Sequence, residues 1–104
     1  MLSRDDLHEY QRKAVSFIVQ KRRCGLFLDM GLGKTVSTLT AISDLRDGFL
    51  VGRTLIVAPL RVANSVWSHE CKKWEHLAEL DIGVCTGAKN NRISVLNNSH
   101  DVTV

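Results

Sequence analysis

The chain of 104 residues reads as an α/β domain built on a parallel sheet with helices on both faces. Three observations predict that class. Short runs rich in apolar and β-branched residues alternate with longer segments whose apolar positions recur at helical spacing, the order that builds strand–helix–strand units with right-handed crossovers. One of those runs, residues 24–29, is nearly continuously apolar, as suits a strand covered on both faces. The same run passes through a glycine-rich turn into a helix start, the layout of a phosphate-binding loop.

Length and composition bound the reading. The chain is enough for one domain over residues 1–104, and a domain of this size buries roughly two thirds of its unfolded surface. Hydrophobic content of 44% and charged content of 24% are those of an ordinary soluble globular protein. No apolar run approaches the length of a membrane span. The polar start from Met1 through Asp6 carries both charge signs and no signal-peptide core, so an intracellular, cytoplasmic (or, in a eukaryote, nuclear) location without membrane contact is expected. A net charge of +3 without a long basic run is compatible with a nucleic-acid partner but does not require one. Cys24, Cys71 and Cys85 are odd in number and form no Cys-x-x-Cys pair, which argues against a disulfide framework or a zinc site; reduced, buried thiols are expected.

The elements follow in order. A first helix is expected over 7–22, with Leu7, Tyr10, Ala14, Phe17 and Ile18 on one apolar face. Asp5 and Asp6 at its start and Lys21, Arg22 and Arg23 at its end suit the helix dipole. A strand over 24–29 and the glycine-rich turn come next. A second helix over 34–45 draws on Val36, Leu39, Ala41, Ile42 and Leu45, with Gly48 as its C-cap. A second strand over 53–58 is β-branched and apolar and is closed by Pro59. A third helix over 62–77 places Trp67, Cys71 and Trp74 at i, i+4 and i+7, a stripe expected to pack against the sheet rather than stack bases. A third strand over 81–86 is broken by Gly87, a short helix follows over 88–98, and a fourth strand starts at Asp101. Ending on that strand pattern, the chain is expected to be the first part of a longer domain, with an apolar sheet edge uncovered.

The stretch Leu28-Asp29-Met30-Gly31-Leu32-Gly33-Lys34-Thr35 carries the chemistry. Gly31 and Gly33 allow backbone conformations closed to other residues and bring amides close to a polyphosphate. The helix start near 33–35 offers free N–H groups and a partial positive charge to an anion. Lys34 is placed to reach the outer phosphates and the Thr35 hydroxyl to hold magnesium. The strict Gly-x-x-x-x-Gly-Lys-[Ser/Thr] pattern is broken at Leu28, where its first glycine would stand. A glycine-rich turn beside a solvated lysine is the alternative, but the preceding strand pattern and following helix supply the context the motif needs.

Three stretches together resemble the start of the Swi/Snf-type helicase-like ATPases of superfamily two. They are Leu7-His8-Glu9-Tyr10-Gln11, the loop Asp29-Met30-Gly31-Leu32-Gly33-Lys34-Thr35, and the strand Leu55-Ile56-Val57-Ala58-Pro59-Leu60 followed by Asn64, Trp67, Glu70, Lys73 and Trp74. The resemblance covers residues 7 to about 86 and implies a P-loop NTPase fold, the first RecA-like motor lobe, in incomplete form. It also implies a motor that couples ATP hydrolysis to movement along double-stranded DNA. By that resemblance Gln11 matches the adenine-reading glutamine, whose amide can both donate and accept. Met30, Gly31, Leu32, Gly33, Lys34 and Thr35 match the nucleotide-binding loop, with Lys34 and Thr35 in the catalytic machinery and Thr35 on magnesium. Tyr10 has two roles open to it, packing near the base or anchoring the helix. Arg61 matches the element that touches the DNA backbone, and a solvated surface arginine is the alternative. The implied partners are ATP with magnesium, the backbone of double-stranded DNA, and the remaining motor lobes of the same polypeptide.

Departures matter. The family has Ala-Asp-Glu where Phe27, Leu28 and Asp29 stand, which leaves the role of Asp29 open. The family's Asp-Glu-x-His element, which completes magnesium binding and positions water, is not in the chain, nor is the second lobe with its arginine finger. Because phosphoryl transfer needs those parts, the chain alone is expected to bind nucleotide weakly and hydrolyse it hardly at all. Two other readings stay open: a different P-loop enzyme such as a small-molecule kinase, and a non-catalytic interaction module. DNA stimulation of the complete protein would separate the first of these, and a natural stop codon after Val104 would favour the second.

Overall fold

Residues 34–47 form a helix because their apolar side chains return every three or four positions. Val36, Leu39, Ala41 and Ile42 are buried, with Leu39 and Ala41 fully inaccessible. This helix lies at the centre of the computed structural model, which describes residues 1–21, 23–27 and 33–104. The elements in chain order are a 3-10 turn at Arg4–Asp6, α1 at Glu9–Gln20, α2 at Lys34–Asp47, β1 at Thr54–Leu55 and α3 at Leu60–Lys73. A second 3-10 turn at Glu75–Leu77, β2 at Ile82–Gly83, α4 at Lys89–Asn97 and β3 at Val102–Thr103 complete them.

The three strands form one parallel sheet in the order β1-β3-β2. Val102 stands between Thr54 and Ile82, and Thr103 between Leu55 and Gly83. Backbone bonds from Thr54 N to Asp101 O (3.0 Å), Ile56 N to Thr103 O (2.8 Å) and Val104 N to Gly83 O (2.8 Å) run the ladder beyond the named strands. From β1 the chain crosses two positions to β2 through α3, then returns one position to β3 through α4. Parallel crossovers are right-handed almost without exception, and two such crossovers run in opposite directions put α3 and α4 on opposite faces, as the α/β class requires.

The faces are unequal. On one, Leu39, Leu77, Val36 and Val102 are fully buried, Trp74, Cys71, Leu7 and Val104 join them, and Ile56, Ala58, Trp67 and Ile82 pack alongside. The expected Trp67–Cys71–Trp74 stripe is therefore core. On the other face Leu55 is 69% and Val57 90% exposed, and α4 buries none of its residues. Thr103 is nevertheless buried there, and the His100 imidazole lies over Gly83 where any side chain would stand.

Several expectations are corrected. The described part of the 24–29 run, residues 24–27, is not a strand. None of the three strands pairs with it, and an extended segment without a partner leaves its backbone groups to water; Phe27 is 96% exposed. The first helix begins at Glu9 rather than residue 7, and Leu7 is buried ahead of it. Its buried face is Gln11, Ala14 and Val15, so Tyr10 and Phe17 fall on the exposed flank. The long third helix ends at Lys73, broken by the extended backbone of Trp74, and a separate 3-10 turn follows. Only Cys71 of the three thiols is buried; Cys24 is exposed and Cys85 intermediate. Desolvation pushes the Cys71 thiol up to about 11, which keeps it protonated and unreactive at neutral pH.

Helix α2 ends in a Schellman pattern. Leu50 N donates to Leu45 O (2.9 Å) and Phe49 N to Arg46 O (3.0 Å), satisfying two of the last carbonyls. Gly48 is the C-cap as expected, yet its φ is −84°. The left-handed residue is Phe49, with φ 57°.

The N-terminal segment is strapped across this framework. Leu2 N donates to Lys73 O (3.1 Å) and Glu75 N to Leu2 O (2.7 Å). The Arg4 guanidinium holds both oxygens of Asp44 at 2.7 Å, a bidentate pairing.

Candidate functional site

Gly33 is the residue on which α1 and α2 meet. It caps the N-terminus of α2 with φ 76° and ψ 36°, a left-handed conformation that glycine adopts without the Cβ penalty. Among the described residues no side chain caps that terminus, and no acidic residue lies in its first turn. The helix instead opens with a lysine, contrary to the usual match between charge and dipole. Lys34 is exposed and Thr35 half-buried, and the Thr35 hydroxyl makes no hydrogen bond among the described residues. A helix start, whose first N–H groups have no intrahelical partner, with an adjacent ammonium and a threonine hydroxyl, is arranged to receive an anion and its counter-cation.

Gln11 approaches this point from α1. Its residue is 6% exposed, although glutamine is ordinarily a surface residue. Its Oε1 accepts the His8 backbone N–H at 2.8 Å, which caps the start of α1. Its Nε2 abuts Gly33 so closely that a Cβ there would collide with it, and that Cβ would also meet Val36 Cγ1 at 3.3 Å. Residues 29 to 32 of the loop, which include Asp29, Met30, Gly31 and Leu32, lie outside the described residues. Of the sequence-derived set, Gln11, Gly33, Lys34 and Thr35 therefore come together at one helix end.

Sequence reasoning missed Ser37. It is fully buried, and its hydroxyl donates to the Gly33 carbonyl at 3.0 Å while its own N–H donates to the same oxygen at 3.1 Å. Two donors from one residue thus hold the peptide that precedes Lys34. The available signal was a serine four residues after the loop glycine, on the buried face of an otherwise apolar helix.

Arg61 lies elsewhere, in the first turn of α3, exposed to solvent. One turn further along that helix, Asn64 Oδ1 accepts the Thr86 hydroxyl at 2.6 Å, which fastens the segment after β2 to α3 close to Arg61. Among the described residues no cluster of three or more potential metal ligands occurs. No helix among them is long and apolar enough to cross a membrane.

Comparison with known proteins adds to this geometry. Residues 10–104 match the family described as SNF2-related domain. The chain is 38% identical over 92 residues to putative protein p41 of Acyrthosiphon pisum secondary endosymbiont phage 1, covering 88% of this chain and 20% of that protein. It is 36% identical over 75 residues to the DNA excision repair protein ERCC-6-like of Bos taurus, covering 67% and 6%. To the human chromodomain-helicase-DNA-binding protein 7 it is 30% identical over 93 residues, covering 86% and 3%. The chain thus spans about a fifth or less of the length of each of these relatives.

Proposed function

This chain belongs to the SNF2-related family of helicase-like ATPases, and we propose that it is the ATP-binding part of a motor that couples ATP hydrolysis to movement on double-stranded DNA. The observation that carries the reading is the burial of Gln11 against Gly33, at the open end of α2 where Lys34 and Thr35 begin the helix. In this reading the Gln11 amide, a group that can both donate and accept, reads the adenine edge. The N–H groups of residues 31–35 cradle the phosphates, and Lys34 offsets charge on the outer ones. The Thr35 hydroxyl would hold magnesium, which would supply further charge neutralisation at the phosphates. Ser37 keeps the Gly33 peptide in place beneath them.

Double-stranded DNA is the proposed track. Support comes from the DNA-directed names of two relatives, from the net charge of +3, and from Arg61 at the N-terminal turn of α3. Contacts of that kind hold the backbone without reading sequence. The rest of the motor and an intracellular location belong to the same proposal.

Titration of magnesium–ATP into the labelled chain tests it. Backbone amides of residues 31–35 and the Gln11 side-chain amide should shift together. Lys34→Ala should weaken binding about tenfold or more, the worth of one charged hydrogen bond. Movement of residues 31–35 without Gln11 would remove the adenine role, and no movement at millimolar nucleotide would remove the site. Hydrolysis by the chain alone should not exceed that of Lys34→Ala, since the water-positioning element is not among its residues.

A further inference from the structure

The N-terminal strap closes over a histidine that the nucleotide site does not use. His76, in the 3-10 turn Glu75–Leu77, points Nε2 at the fully buried Thr40 hydroxyl of α2 (2.8 Å). Its Nδ1 is buried and has no partner among the described residues. The Trp74 ring stands edge-on to it at 5.7 Å between centroids. The charged groups that bear on it come from two other elements: Arg4 from the first 3-10 turn and Asp44 from α2. Asp44 is already held at both oxygens by Arg4.

From this cluster we propose that His76 is an acid-sensitive latch for the N-terminal strap: its protonation loosens the joint between the Glu75–Leu77 turn and α2, and releases Leu2 and Arg4 from their seats. In the neutral ring with its proton on Nε2, that nitrogen pairs with Thr40 and Nδ1 is left with a lone pair alone. The charged ring carries protons on both nitrogens, so Nδ1 becomes a buried donor without an acceptor, beside the Arg4 cation. Burial first, and Arg4 second, lower the affinity of His76 for a proton; Asp44 opposes them with a smaller effect. The sign follows. A histidine whose folded pKa lies below its unfolded value binds less proton when folded. It contributes stability fully above the unfolded value, near 6.5, and that contribution is lost as pH falls from there toward the folded value. The strap is the part that yields because Leu2 is bonded to Glu75, next to His76, and to Lys73 at the end of α3.

Nuclear magnetic resonance of this chain between about pH 8 and about pH 5 tests the latch. The His76 ring should titrate below the ordinary imidazole value, and the amides of Leu2, Thr40 and Glu75 should shift with the same midpoint and lose exchange protection below it. His76→Gln, which keeps a polar side chain but cannot charge, should abolish that transition while the strap stays protected at neutral pH. If His76→Gln does not fold, the coincidence of midpoints in the unaltered chain decides. The latch is overturned if the strap amides follow the ring of His8, His69 or His100 instead, or stay protected while His76 takes up its proton.

Discussion

Gly33 and Phe49 bracket α2, and both sit at positive φ, 76° and 57°. Their substitutions should have opposite signs. Gly33→Ala forces a Cβ into the left-handed region, which costs about 1–2 kcal/mol, and drives it into the Gln11 amide. We expect a loss of about 2 kcal/mol or more in urea denaturation, together with loss of the magnesium–ATP shifts. Unchanged stability would mean that the Gln11–Gly33 contact is not held in solution. Phe49 is 95% exposed, so Phe49→Gly sacrifices little packing and relieves the left-handed penalty, partly offset by glycine's extra freedom when unfolded. A net gain of about 0.5–1 kcal/mol, seen as a rise in Tm of roughly 2–8 °C, is expected for a domain of this size. Sequence reasoning found Gly33 because a loop motif names it. It placed the C-cap correctly at Gly48 but not the left-handed residue that follows, because glycine marks where such a conformation is easy, not where the chain adopts it.

Among elements, helices were legible and their exposed flanks were not. The period of α2 and α3 comes from residues within each helix, so 34–45 and 62–77 anticipated most of Lys34–Asp47 and Leu60–Lys73. Helix α1 was placed but turned by about one residue, since Tyr10 and Phe17 outrank Gln11 in apolarity while the Gly33 contact requires Gln11 inside. Residues 24–27 show the limit from the other side: an apolar run states a preference for burial, but a strand also needs a neighbour with free backbone groups. The three strands that do form are fastened at their starts by one carboxylate. Asp101 accepts Arg46 Nη2 at 2.7 Å and the Asp81 backbone N–H at 3.0 Å, while Arg46 also donates to Gly52 O at 2.6 Å. Asp101 therefore joins the end of α2 to the entries of all three strands. Asp101→Ala should cost about 1–3 kcal/mol, the worth of leaving the part-buried Arg46 guanidinium and the Asp81 N–H without their acceptor, and Asp101→Asn less. Equilibrium unfolding in urea measures both, and equal midpoints for Asp101→Ala and the unaltered chain would reduce the clasp to a surface ion pair.

At the scale of the whole molecule, the same sheet is closed on one face and open on the other. The face under α2 and α3 is sealed by Leu39, Leu77 and Val102. The opposite face shows Leu55 and Val57, and β1 pairs with β3 alone among the described strands, so among the described residues its far edge offers N–H and C=O groups to a further strand. An apolar, unpaired strand edge is the geometry that recruits another chain. In sedimentation, the weight-average mass of this chain should rise above 11.6 kDa as concentration climbs from micromolar toward millimolar. Val57→Lys should suppress that rise by placing a charge on the edge. Because Val57 is 90% exposed, the same change should leave Tm within the range of an ordinary surface substitution, about ±0.5 kcal/mol. A mass that rises equally in the variant would move the contact to the Phe49–Leu50 corner, whose side chains are also exposed. A mass that stays at one chain throughout would overturn self-association through the open face.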